Sequence, residues 1–239
     1  KVFLKNYAVY TDQMIGEHPD NKIKSNIVKI KNHYKKELLD FFNELEKKPE
    51  NRLLLNTKIK SISLQNKNVK INFESKSEIF DKVIMATHPD QAIKLLKNLD
   101  KTTRNLLKNF KYQKNVVYLH SDSSLMPQNK KTWSSWNYIS NNKKKSETSI
   151  TYWMNLLQKL NSSKNFFVSL NPFLTPDSNL TYKKIIYEHP IFNNNTNKAQ
   201  KKMSLIQGKN NIYFTGAWLG YGFHEDGIKS AVKVAKLFQ

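Results

Sequence analysis

The chain has 239 residues, no cysteine and a formal net charge of +21. Without cysteine there are no disulfide staples, no thiol nucleophiles and no Cys-ligated zinc or iron–sulfur centres, and no apolar run is long enough to span a bilayer. The charge suggests nucleic acid, but every basic residue except Arg52 and Arg104 is a lysine, dispersed apart from the run at 143–145; base-reading modules lean on arginine and aromatic platforms, so no specific nucleic acid is expected.

In chain order, Tyr34, Leu38, Leu39, Phe42 and Leu45 recur at helical spacing until Pro49. Residues 53–64 read as a strand, residues 65–68 as a turn, and Val69, Ile71 and Phe73 alternate as a half-buried strand. The run Val83-Ile84-Met85-Ala86 suits a strand buried on both faces and ends at Thr87-His88-Pro89, where proline opens a helix. Ala92, Leu95, Leu96 and Leu99 give that helix its apolar stripe, and Leu106, Leu107 and Phe110 give a second. The middle of the chain changes character. Strands are expected at 116–119, 150–154, 166–170 and 185–187, separated by loops rich in Asn, Ser and Lys, with Trp133, Trp136 and Trp153 among them. Residues 211–215 form a last strand. Ile228, Ala231, Val232, Ala235 and Phe238 then recur as an amphipathic helix, expected to pack this stripe on the sheet.

Between that strand and helix lie Gly216, Gly220, Gly222 and Gly227, four of the chain's six glycines. A strand, a glycine-rich loop and a helix N-terminus form an arrangement suited to a phosphate or a developing anion. The spacing is neither a Walker loop nor Gly-x-Gly-x-x-Gly, and a plain connection capped by Glu225 and Asp226 fits the glycine density equally well. The six histidines form no His-x-x-x-His pair, so no metal site is expected. His120, Ser121 and Asp122 are adjacent, but without a Gly-x-Ser-x-Gly elbow they do not indicate a hydrolase.

The ending Tyr213-Phe214-Thr215-Gly216-Ala217-Trp218, followed by Gly220-Tyr221-Gly222-Phe223-His224-Glu225-Asp226-Gly227, resembles the C-terminal FAD motif of flavin amine oxidases and protoporphyrinogen-oxidase-like enzymes. It is most similar to a bacterial group of NAD/FAD-binding proteins. Further segments of that group's pattern are Ala86-Thr87-His88-Pro89-Asp90-Gln91-Ala92, Trp133-Ser134-Ser135-Trp136-Asn137-Tyr138, Thr151-Tyr152-Trp153-Met154-Asn155 and Glu188-His189-Pro190-Ile191-Phe192. The resemblance covers roughly residues 50–239 and implies an α/β fold: a partial FAD/NAD(P)-binding Rossmann-like domain with an inserted α+β mixed-sheet substrate lobe.

The boundaries it implies are 50–89 and 206–239 for the FAD-binding domain and 90–205 for the substrate lobe. Residues 1–49 are a helical segment with little resemblance. The implied cofactor is FAD, held by Ile59, Ala86, Thr87, Gly216, Ala217, Trp218, Gly222, Phe223, His224 and Gly227, with His224 also the candidate catalytic group. Many relatives carry an acidic residue where this chain has Ala217, so a contact to the ribityl hydroxyls is missing from the pattern. The helix N-terminus at 223–227 would stabilise negative charge on reduced flavin. Trp136, Tyr152 and Trp153 are the substrate-lobe candidates, facing an apolar substrate across the flavin.

The expected activity is FAD-dependent oxidation of a small or lipid-like organic substrate by a cytoplasmic protein, with peripheral membrane contact a further expectation. The partner expected besides substrate is the N-terminal Rossmann segment. It has no counterpart in residues 1–239, so these residues alone are expected to hold FAD weakly and to be inactive. A flavin-fold module that binds without turnover and a basic nucleic-acid-binding protein are the alternatives.

Overall fold

The computed structural model describes residue 54, residues 56–140 and residues 148–238, so the stripe at 34–45 lies outside the described residues. The strands are β1 (Ile59–Gln65), β2 (Asn68–Phe73), β3 (Ser77–Phe80), β4 (Val83–Met85), β5 (Tyr112–His120), β6 (Trp136–Ser140), β7 (Thr148–Trp153), β8 (Phe167–Leu170), β9 (Thr181–Pro190) and β10 (Ile212–Phe214). The α-helices are α1 (Pro89–Leu95), α2 (Lys101–Leu107), α3 (Met154–Leu157), α4 (Asn194–Lys201) and α5 (His224–Ala235). They form two compact units, one of the described residues from 54 to 112 and from 190 to 238, the other of the described residues between 113 and 189. No helix among the described residues is long and apolar enough to cross a membrane.

In the first unit β1, β2 and β3 form an antiparallel sheet in that order. Asn66 and Lys67, with φ of 47° and 68°, make the β1–β2 hairpin turn, because two positive φ angles match the twist of the flanking strands. Val69, Ile71 and Phe73 are buried on one face, as their alternation predicts. The second sheet is a parallel pair, with Ile212 opposite Val83, Tyr213 opposite Ile84 and Phe214 opposite Met85. The outer edge of β10 is closed by a side chain. Gln207 Oε1 accepts from the Phe214 N–H at 2.8 Å, and Gln207 Nε2 donates to the Phe214 carbonyl at 2.7 Å.

Pro89 opens α1, but the helix stops at Leu95 instead of running on to Leu99. Leu96 turns extended and bridges to Ile62, and the Lys97 N–H donates to the Ile62 carbonyl at 2.8 Å. Pairing with β1 replaces the next helical hydrogen bond. Asp100 then caps α2 by accepting from the Thr103 N–H and hydroxyl. Ile62, Ile71, Leu107, Ile206, Phe214 and Trp218 belong to one buried cluster that draws on both sheets and the helices. Residues 89–107 and 194–206 therefore pack with the first unit. The second compact unit holds the described residues between 113 and 189.

Helix α5 departs from its expected orientation. Its buried residues are Ser230 and Val234, while Ile228 is 60% and Val232 49% exposed, and Ala231 is exposed as well. The inward face is set by a polar lock. Ser230 Oγ lies 2.6 Å from Thr215 Oγ1, accepts from the Gly216 N–H at 2.9 Å and donates to the Gly227 carbonyl at 2.7 Å.

The second unit is a five-stranded sheet in the order β6-β7-β8-β5-β9, with the β6–β7, β7–β8 and β8–β5 pairs antiparallel. Register places Asn137, Thr151 and Ser169 in a row across one face, with Trp153, Phe167 and His120 in the next row. This face is interior: Phe167, His120 and Ser169 are fully buried, and Trp133 packs edge-on against both Phe167 and Trp153. Its polar atoms are satisfied within it. Ser169 Oγ lies 2.8 Å from His120 Nε2 and 2.7 Å from Thr151 Oγ1, and Asn137 Nδ2 donates to the Thr151 carbonyl.

Candidate functional site

Because β4 and β10 run parallel and in register, the turns that follow them leave the sheet at the same edge, and the Thr215 N–H donates to the Met85 carbonyl at 3.0 Å. One turn holds Ala86 and Thr87, with the Thr87 hydroxyl donating to the His88 carbonyl; the other holds Gly216, Ala217 and Trp218. Ligands of open parallel sheets bind beyond the carboxyl ends of the strands, and this edge is that location.

Gly216 has φ of +153°, and a Cβ added there would lie 2.4 Å from Trp218 Nε1. The backbone thus passes directly over the indole. Trp218 is 3% exposed, packs edge-on to Phe110, and its Nε1 has no hydrogen-bond partner among the described residues. A buried N–H without an acceptor is costly, and a polar ligand at the loop would supply one. Two glutamines brace the loop from outside the glycine motif. Gln200 Nε2 donates to the carbonyls of Trp218 and Gly220 at 2.9 and 2.7 Å, and Gln207 holds Phe214.

At the start of α5 the backbone pole is already met by an internal anion. Asp226 Oδ2 accepts from the N–H groups of Tyr221 and Phe223 at 2.9 and 3.0 Å. This carboxylate caps the helix and reduces the positive potential open to a bound anion. Phe223 and His224 are exposed at this first turn. Gly222, with φ of +93°, lies near Phe192, whose ring a Cβ would approach to 3.3 Å. Gly227 sits one turn into the helix opposite Ala217, at ordinary contact distance for an added Cβ. Ile59 is placed elsewhere in the same unit, at the start of β1 opposite Phe73 and packed on the core cluster.

The three substrate-lobe candidates divide between the two faces of the five-stranded sheet. Trp153 belongs to the interior face, its Nε1 donating to Asn165 Oδ1 at 3.0 Å. Trp136 and Tyr152 are cross-strand partners on the opposite face, their rings edge-to-face at 5.0 Å. Two rows cross that face, one of Trp136, Tyr152, Val168 and Leu119, the other of Tyr138, Ile150, Leu170 and Val117. Burial raises the pKa of the Tyr152 hydroxyl. On the interior face burial, partly offset by Asp122, pushes the His120 imidazole down to about 4, so it is neutral at pH 7.

Sequence reasoning singled out the glycines but not Ser230, Gln200 or Gln207. A serine three residues beyond Gly227 in an amphipathic helix is a readable sign of a polar contact back to the loop. The glutamines give no such sign, since their partners are backbone groups distant in sequence.

No family model and no curated protein matches the chain. Among solved structures it is similar to a CLA-producing fatty acid isomerase from P. acnes, at 12% identity and a TM-score of 0.59, over 83% of this chain and 51% of that one. It is also similar to a putrescine oxidase double mutant made in a redesign of cofactor binding, at 10% identity and a TM-score of 0.55, over 81% and 51%. A third likeness is to an Exiguobacterium sp. 255-15 protein assigned by name to protoporphyrinogen oxidase, at 13% identity and a TM-score of 0.52, over 84% and 50%. The chain spans about half the length of these structures. The shared feature is the fold, a mixed helix-and-sheet architecture common to about half of each enzyme.

Proposed function

We propose that the chain is part of an FAD-dependent oxidoreductase, amine-oxidase-like in fold, acting on a small or lipid-like organic substrate. The observation that supports this most is the parallel β4–β10 pair, which brings the turns 86–88 and 215–217 to one edge. At that edge Gly216 lets the backbone pass close to the indole of Trp218, whose buried Nε1 has no partner among the described residues and would be the donor to a ligand. The residues fit an extended polar cofactor. Gly216, Ala217 and Trp218 would hold it with Ala86 and Thr87, in what would be a partial Rossmann-like domain. When bound, FAD supplies hydride acceptance from the substrate.

The chain's own contribution is binding and orientation. Ser230 fixes the Thr215–Gly216 backbone, Gln200 and Gln207 hold the loop and its strand, and Asp226 sets the start of α5. His224 is the proposed proton-handling side chain, being exposed at the first turn of α5. Trp136 and Tyr152 provide an apolar surface for substrate. The names of the similar proteins, which include a fatty acid isomerase and a putrescine oxidase, agree with a small organic substrate of either kind.

The test is anaerobic titration of the full-length protein with candidate substrates while its visible spectrum is followed. Bleaching of a bound flavin is expected. A flavin that stays oxidised with every lipid and amine offered would point to a binding module without turnover.

A further inference from the structure

We infer that the open face of the five-stranded unit binds an uncharged hydrocarbon chain and discriminates against amines. This rests on the reading of that unit as the substrate-bearing part. On the β6, β7 and β8 strands this face carries Trp136, Tyr138, Ile150, Tyr152, Val168 and Leu170, with Ser140 and Thr148 at its margin. None of these is Asp, Glu, Lys or Arg, in a chain where 25% of residues are charged. The unit's other face holds Phe167, His120 and Ser169 of the buried core; on this face Val117 of β5 is covered, at 4% exposed, while the β6 side is open. Trp136 and Tyr138 are 56% and 65% exposed on it.

Large aromatic side chains presented side by side without interspersed charge mark a ligand surface more than a solvated one. The charge pattern selects the ligand. An ammonium desolvated here would find no carboxylate on these strands, and burying a charge without a partner is strongly unfavourable. A ring face alone offers a weak substitute, and Trp136 and Tyr152 meet edge-to-face instead of enclosing a cation between two faces. On β6, β7 and β8 the two apolar rows run about 10 Å at ordinary strand spacing. These rows suit an extended chain of medium length lying across the strands.

The experiment uses the full-length protein, its FAD content measured first from the spectrum. It is titrated by calorimetry with decan-1-ol, decylamine and 1,4-diaminobutane, and the titrations are repeated on Ile150→Glu and Trp136→Glu; the second variant lies at the exposed edge strand, where folding is not at stake. Saturable decanol binding is expected, at least tenfold tighter than decylamine, with no diamine binding. Either glutamate should weaken decanol at least tenfold and narrow or reverse the preference over decylamine. Amine binding as tight as decanol binding would overturn the inference, as would decanol binding untouched by both glutamates. A native dimer dissociated by Trp136→Glu, with no decanol binding, would assign the face to a second copy of the chain. Bound FAD without decanol binding defeats this inference and leaves the flavin reading standing. Decanol binding without FAD does the reverse.

Discussion

Gly216 is the position where one methyl group should matter most. An alanine there must adopt φ of +153° and place its Cβ into the Trp218 indole. Gly216→Ala is expected to destabilise the chain by about 1–3 kcal/mol. Gly227→Ala, with open contact distances and a helical backbone, should instead stabilise it by about 0.5–1 kcal/mol. Urea denaturation of both variants measures this, and equal effects would remove the special role of the loop at Gly216. His120 makes a different prediction. Its folded pKa is depressed to about 4 from an ordinary value of 6.5, mainly by burial. The unfolded state therefore takes up a proton first as pH falls. The stability this neutral imidazole contributes is fully present above pH 6.5 and is lost progressively toward pH 4. Urea midpoints at pH 7 and pH 5 should fall more for the native protein than for His120→Asn. An identical fall in both would show that His120 does not set the slope.

At the scale of elements, the C-terminal helix shows what periodicity can and cannot give. Its existence was legible from Ile228, Val232 and Ala235, but its rotation was not. Ser230, with three hydrogen-bond partners around Gly216, outweighs the apolar stripe in choosing the inward face. Ala231→Asp should accordingly be tolerated within about 0.5 kcal/mol, as expected of an exposed helix position. Ser230→Ala should cost about 1–3 kcal/mol, since it leaves buried groups unpaired. Thermal unfolding distinguishes the two variants, and a larger loss for Ala231→Asp would restore the stripe as the buried face. Strand β6 was hidden for a related reason. Its most buried inward residue is Asn137, satisfied by the carbonyls of Ser134 and Thr151, so a polar residue occupies a core position that apolar alternation would not reveal. The runs Val83-Ile84-Met85 and Ile212-Tyr213-Phe214 were legible because buried parallel strands need apolar residues on both faces. Their pairing sets the edge at which the proposed cofactor site lies.

For the whole molecule, the division into units followed packing more than composition. The change of character in the sequence comes after Phe110, while the resemblance implied a substrate lobe beginning at residue 90. Yet Leu106, Leu107 and Phe110 join the core of the first unit, and so do Ala199 and Met203. Which core an amphipathic helix joins is a tertiary choice that its own pattern does not encode. Of the candidate site, the glycine loop was readable because the backbone there has unusual requirements. The bracing by Gln200, Gln207 and Ser230 became visible only once the fold brought them to the loop.

The central claim is that the edge formed by Ala86, Thr87 and Gly216 to Trp218 serves a flavin. The most direct measurement is the FAD content of the purified full-length protein, with Gly216→Ala purified alongside. Stoichiometric FAD in the native protein and substantially less in the folded variant is the expected result. A folded native protein that is colourless and takes up no added FAD would contradict the claim.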